Sequence, residues 1–126
     1  MGYALTSVPG SSAVFRGGVI SYDNSVKRDL LGVPEEVLLS RGAVSAECAS
    51  AMAVGARERL KVDYAVSLTG IAGPGGAVPE KPVGLVWFGL ATPSGVSTEK
   101  MIFSGGREEV RSAAVEHALN LLLLAM

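Results

Sequence analysis

Tyr22, Asn24 and Lys27 fall within a six-residue stretch at the junction of a predicted strand and the helix that follows it. A helix starting near Asn24 puts Lys27 about one turn in, so that its amine and the Tyr22 phenol face one pocket. A lysine amine works as a base only if its pKa falls from about 10.4 towards neutrality, which burial or a neighbouring cation must bring about. The plainer alternative is a solvated surface lysine beside a tyrosine that caps the core.

A second group is the glycine-rich run Thr69-Gly70-Ile71-Ala72-Gly73-Pro74-Gly75-Gly76, which leaves the end of an apolar strand. Glycine has no side chain to block approach and reaches positive φ, so such loops let backbone N–H groups converge on an anion. Gly70, Gly73 and Gly76 are the candidate contact positions. The run lacks the Gly-Lys-Ser/Thr ending of a nucleotide-binding P-loop and does not match G-x-G-x-x-G. A tight crossover whose glycines serve only the chain path is the competing reading.

Arg107 follows Ser104-Gly105-Gly106 and opens the last predicted helix, where a guanidinium and a helix N-terminus can face one anion. The alternative pairs Arg107 on the surface with Glu108 or Glu109. Ser11 and Ser12, in the turn after Pro9, suit either a phosphate or a simple turn. The single cysteine, Cys48, has small apolar neighbours and reads as a core residue, and the single histidine, His117, has no Asp or Cys partner at triad-like positions. One Cys and one His leave too few ligands for a zinc site and no internal disulfide, which fits a reducing, cytoplasmic setting.

These residues need elements to hold them. Tyr3 to Val8 reads as the end of a helix stopped by Pro9-Gly10-Ser11-Ser12, and Phe15 to Tyr22 as a strand. Asn24 to Leu31 is a short helix closed by Gly32, and Pro34 to Arg41 a second one ending at Gly42. Ser45 caps a longer helix through Leu60, with Ala49, Met52, Ala53, Ala56 and Leu60 on one face. Its small residues allow close packing on a sheet. Asp63 to Ala72 is a buried strand entering the loop Gly70 to Lys81, and Val83 to Thr92 is a second strand. Pro93-Ser94-Gly95 turns the chain into Ser97 to Phe103, and Arg107 to Met126 is a terminal helix with Val110, Ala114, Ala118, Leu121 and Leu122 on one face. Alternating strands and helices indicate an α/β layered domain, with a hairpin that makes the sheet mixed.

The 126 residues amount to one domain, and with 48% hydrophobic and 18% charged residues the chain can build a sizeable core. Its net charge of -1, with no basic block, argues against a nucleic-acid-binding module. Mean hydropathy is +0.38, yet the longest apolar runs, Val83 to Ala91 and Leu119 to Met126, fall short of the roughly 20 residues of a membrane span. A soluble protein without a secretory signal is the expectation.

Taken in order, PGSSAVFRGG, SYDNSVKRDLLGVPEE, RGAVSAECASAMAVGARERL, DYAVSLTGIAGPGG, EKPVGLVWFGLA and FSGGREEVR resemble the CinA C-terminal domain family, the bacterial nicotinamide-nucleotide amidases known also from competence-damage-inducible proteins. The resemblance runs from about Val8 to the end of the terminal helix. It implies hydrolysis of nicotinamide mononucleotide to nicotinate mononucleotide and ammonia in pyridine-nucleotide salvage, by a compact α/β domain that is commonly a homodimer and needs no metal or cofactor. It also implies roles. Lys27 is the base, Tyr22 its hydrogen-bonding partner and Asn24 the middle member of Tyr-x-Asn-x-x-Lys, while Thr69, Ser12 and Arg107 match further polar positions of the active site. The family's nucleophilic serine lies in a Glu-Ser-Cys-Thr-Gly-Gly motif that would stand immediately upstream of Met1. Residues 1–126 are therefore expected to form a CinA C-terminal-like domain lacking its first strand and part of its first helix, with a small-molecule nucleotide as partner. A catalytically inactive nucleotide- or protein-binding domain of the same family is the alternative.

Overall fold

Local capping chemistry sets most of the helix boundaries in the computed structural model, which describes residues 1–126. Helix α1 (Gly2–Thr6) ends at the Pro9-Gly10 turn, and a 3-10 turn follows at Ser11–Ala13. Helix α2 (Asn24–Leu31) starts where the Asp23 carboxylate accepts the Ser25 N–H at 2.9 Å, and stops at Gly32 with φ 71°. Helix α3 (Glu35–Ser40) has Pro34 as its cap rather than its first residue. Helix α4 (Ala46–Leu60) is capped by Ser45, whose Oγ accepts the Cys48 N–H at 3.1 Å, a contribution of about 1 kcal/mol. Strands β1 (Ala65–Gly70), β2 (Leu85–Thr92) and β3 (Gly95–Ile102) precede the terminal helix α5 (Arg107–Ala125).

The strands form one sheet in the order β1-β2-β3. Both pairs are antiparallel, with Ala65 opposite Ala91 and Thr92 opposite Gly95, so within this chain the sheet is antiparallel throughout rather than mixed. The reason lies in the glycine loop. Ile71 N–H bonds the Leu85 carbonyl and Gly84 N–H bonds the Ile71 carbonyl, so the segment between them turns back as a wide hairpin instead of crossing over.

Side chains alternate across the pleat. Val86 and Phe88 of β2 pack against Val110, Ala114 and Ala118 of α5, with Val66 and Leu68 of β1 at the same core. Phe88 is 1% exposed, and its burial stabilises the fold by about 1.5–3 kcal/mol. The opposite face meets α4. There Gly89 leaves no room for a Cβ against the Ala49 carbonyl, and Ser67 Oγ donates to that same carbonyl at 2.6 Å. Behind α4 lies α2, and Leu31, Val33, Cys48 and Met52 close a second core between them. The architecture is thus α5, sheet, α4 and α2, which is the layered α/β domain expected.

Phe15 to Tyr22 is not a strand. The segment has no strand partner, and Ile20 is 92% and Tyr22 85% exposed, while Val19 alone of its later apolar residues packs on the α2–α4 core. A strand exists only where its backbone groups find a ladder, and the outer edge of β1 is likewise unpaired. No helix is long and apolar enough to cross a membrane.

Two outcomes follow from this packing. Gly55→Ala puts a methyl group into the Leu31 carbonyl and forces α2 and α4 apart. It should destabilise the chain by about 1–3 kcal/mol in denaturant unfolding, although alanine is the better helix former. An unchanged or raised midpoint contradicts this. The bare β1 edge, together with exposed Val14 and Ile20, should make the 126-residue chain self-associate as its concentration rises. Sedimentation velocity checks it, and a concentration-independent monomer is the contrary result.

Candidate active site

Lys27 lies in the first turn of α2 and is 6% exposed. Its Nζ donates to the Ser21 carbonyl at 2.5 Å and to the Tyr22 carbonyl at 3.3 Å. Desolvation pushes its ammonium below the ordinary lysine value, opposed by the negative charge of Asp23 and of any Cys48 thiolate. Asp23 stays ionised because hydrogen bonds from Ser25 hold its carboxyl below the usual range. Cys48, in the first turn of α4, is fully buried, and burial pushes its thiol up against the opposing pull of Lys27 and Lys81. The first turns of α2 and α4 thus come within electrostatic reach of one another.

The expected partnership with Tyr22 takes a different form. The backbone carbonyl of Tyr22 meets the lysine, while its phenol is exposed and makes no hydrogen bond. Asn24 is exposed at the start of α2, and the capping there is done by Asp23. Ser12 sits exposed in the 3-10 turn with no hydrogen bond from its hydroxyl.

Thr69 is 7% exposed near the end of β1, and its Oγ1 donates to the Ala43 carbonyl at 2.8 Å. Its hydroxyl anchors the turn that feeds α4, so it positions that turn rather than facing open space. Gly70 lies too close to Val86 and the Leu85 carbonyl for a side chain. Gly73 is buried at φ 84°, where a Cβ would stand 2.5 Å from Val83 Cγ1. Gly76 has φ 96° and faces Ile71. The loop conformation therefore demands glycine at Gly73 and Gly76, which the spacing alone left open.

Arg107 is the first residue of α5, and its Nη1 donates to the Gly73 carbonyl at 3.0 Å. Neither Glu108 nor Glu109 pairs with it, and Glu109 instead reaches back to the Gly106 N–H at 3.3 Å. Lys81 is not among the candidate residues that the sequence singles out. Its Nζ donates to the Arg41 carbonyl at 2.5 Å and would stand 2.8 Å from a Cβ at Gly42, tying the glycine loop to the turn before α4. Its partner lies 40 positions away, and no local pattern announces such a contact.

The carboxyl end of β1 thus lies beside the starts of α4 and α5, with the start of α2 next to α4. Helix N-termini carry partial positive charge, which together with Lys27, Lys81 and Arg107 favours an anionic ligand. No group of His, Cys, Asp and Glu is arranged to hold a metal ion. The hydrogen-bonded pair of His117 Nε2 and Glu99 Oε1, 2.8 Å apart with the imidazole packed on Phe88, belongs to the α5 side of the sheet.

The fold and site define an α/β domain with a cation-bearing corner built from helix starts and a glycine loop. The chain belongs to the CinA C-terminal domain family, whose model matches residues 1–126. It is 54% identical over 128 residues to a CinA-like protein of Synechococcus sp. (strain CC9311), a match that covers 100% of this chain and 30% of that protein. A CinA-like protein of Anaeromyxobacter dehalogenans (strain 2CP-1 / ATCC BAA-258) is 50% identical over 122 residues, again with 30% of its length covered. The chain therefore spans about a third of the length of these curated relatives. Among solved structures, the competence/damage inducible protein CihA from Agrobacterium tumefaciens superposes with TM-score 0.94 at 46% identity, covering 98% of this chain and 76% of that one. A CinA superfamily protein from Escherichia coli superposes with TM-score 0.95 at 32% identity, covering 99% and 73%.

The buried lysine has a thermodynamic signature. Its folded pKa lies below its unfolded value, so the folded chain holds that proton less tightly, and the cost is full below the folded pKa and relieved as pH climbs towards 10.5. The wild-type chain should therefore gain stability relative to Lys27→Met as pH is raised from neutral towards 10.5. Denaturant midpoints of both chains across that range check the slope, and a constant or opposite difference contradicts it.

Proposed function

We propose that the polypeptide containing this domain is a nicotinamide-nucleotide amidase, hydrolysing the carboxamide of nicotinamide mononucleotide to nicotinate mononucleotide and ammonia. The observation that carries this reading is Lys27, a buried amine with a lowered pKa at the point where helix starts and a glycine loop meet. A lysine that sheds its proton readily is suited to activate a hydroxyl nucleophile. The serine is supplied by the Glu-Ser-Cys-Thr-Gly-Gly segment that the family resemblance places before Met1.

In this scheme Lys27 takes the serine proton as the hydroxyl attacks the carboxamide carbon. The tetrahedral intermediate carries its negative charge on the former carbonyl oxygen, and in this reading N–H groups of the glycine loop receive it. Lys27 then gives the proton to the departing nitrogen, which leaves as ammonia, and water releases nicotinate mononucleotide from the acyl-enzyme by the same route. Arg107, at the start of α5, serves the phosphorylated end of the ligand, and Thr69 holds the turn before α4. The reaction needs no metal or cofactor, and the enzyme works as a cytoplasmic homodimer.

Ammonia release from nicotinamide mononucleotide, measured with the polypeptide that carries the motif, tests the proposal. Turnover is expected in the wild type, and its loss in Lys27→Ala by at least about two orders of magnitude. Turnover that survives Lys27→Ala overturns the role of the lysine, and a wild type that releases no ammonia overturns the activity.

A further inference from the structure

Six basic side chains in this chain donate to backbone carbonyls, and they fall into two groups. Arg16 bonds the Leu60 carbonyl, Arg57 the Asp63 carbonyl and Arg59 the Leu31 carbonyl, all at or just beyond the C-terminal ends of α4 and α2. There the helix end carries partial negative charge, so each guanidinium is offset where it sits. Lys27, Lys81 and Arg107 gather instead at the starts of α2, α4 and α5, where the helix field adds to their charge. The Arg41 carbonyl that holds Lys81 also closes α3, but that helix has only 6 residues against the 15 of α4.

None of these three cations meets a carboxylate within salt-bridge distance. The carboxylate at the start of α4, Glu47, pairs with Arg41 at 3.5 Å. Lys81 is also fixed through its backbone. It closes a tight turn in which Val78 N–H bonds the Lys81 carbonyl at 3.1 Å and Lys81 N–H bonds the Val78 carbonyl at 2.9 Å, with Glu80 at φ 69°. On the facing side, Gly42 at φ 80° leaves just enough room for the amine.

We infer that Lys81 is a specificity-determining residue, which receives the phosphate of a phosphomonoester ligand beside the turn that leads into α4. Lys81 thereby separates a nucleotide from its nucleoside, whereas Lys27 handles the carboxamide. This deepens the amidase reading and rests on the same site, but it concerns the phosphate rather than the reaction. A single charged hydrogen bond lost from such a contact weakens binding about tenfold or more.

The test uses the full polypeptide and two phosphorylated probes, ribose 5-phosphate, which has no carboxamide, and nicotinamide mononucleotide, with nicotinamide riboside as the phosphate-free control. Calorimetry should show Lys81→Met weakening both phosphorylated ligands about tenfold or more while leaving the riboside unchanged, with Lys81→Arg restoring most of the loss. Equal weakening of nucleotide and nucleoside, or weakening of neither, overturns the inference, as does a wild type that binds no phosphorylated probe. The two proposals fail separately. Normal turnover of nicotinamide mononucleotide at low concentration by Lys81→Met overturns this inference and leaves the amidase standing. Lysine-dependent binding of ribose 5-phosphate without ammonia release from nicotinamide mononucleotide overturns the amidase and leaves the phosphate site.

Discussion

Helix α4 lies against its neighbours with backbone on backbone at two places. The Ala49 carbonyl presses into the space that Gly89 leaves in β2, and the Leu31 carbonyl of α2 presses into the space left by Gly55. Any larger residue at either glycine moves α4 away from the sheet or from α2. The rest depends on this closeness. Only with α4 tight against β1 can Ser67 and Thr69 reach the Ala49 and Ala43 carbonyls, and only with α2 tight against α4 is Lys27 stripped of water. Packing of the kind that normally serves stability here also sets the electrostatics of the corner.

That corner is positive by construction. Three helices begin near it, and three cations donate to carbonyl dipoles there instead of to carboxylates. A carbonyl holds an ammonium or guanidinium in place without cancelling its charge, which leaves that charge available to a ligand. The glycine loop is fixed at both of its ends in the same way, by Arg107 at Gly73 and by Lys81 at Arg41, so it is a positioned wall of the site.

Much of this was readable along the chain because its cause is local. Asn24–Leu31 ends at a glycine that takes positive φ, and Ser45 caps α4 through a bond three residues away, so both helices were found with their boundaries nearly right. The apolar spacing of Val110, Ala114 and Ala118 likewise marked the buried face of α5. The misses had distant causes. Phe15 to Tyr22 has strand-like residues, but a strand needs a partner and none lies beside it. The glycine loop read as a crossover or a cradle, and only the bonds of Ile71 and Gly84 show a hairpin that makes the sheet antiparallel. Tyr22 meets Lys27 through its carbonyl rather than its phenol, a choice that residue types cannot express, and Lys81 finds its partner far away in sequence.

The account turns on whether the Lys27 amine sheds its proton more readily than an ordinary lysine while the chain is folded. Titration of the Lys27 side-chain carbon and nitrogen resonances by NMR, with the residue assigned through the loss of its signal in Lys27→Met, measures this directly. The account predicts a midpoint clearly below 10.5 in the folded protein and a return to it on unfolding. A folded-state midpoint at or above that value contradicts the account, because such a lysine is solvated or paired and is no base poised for an amide.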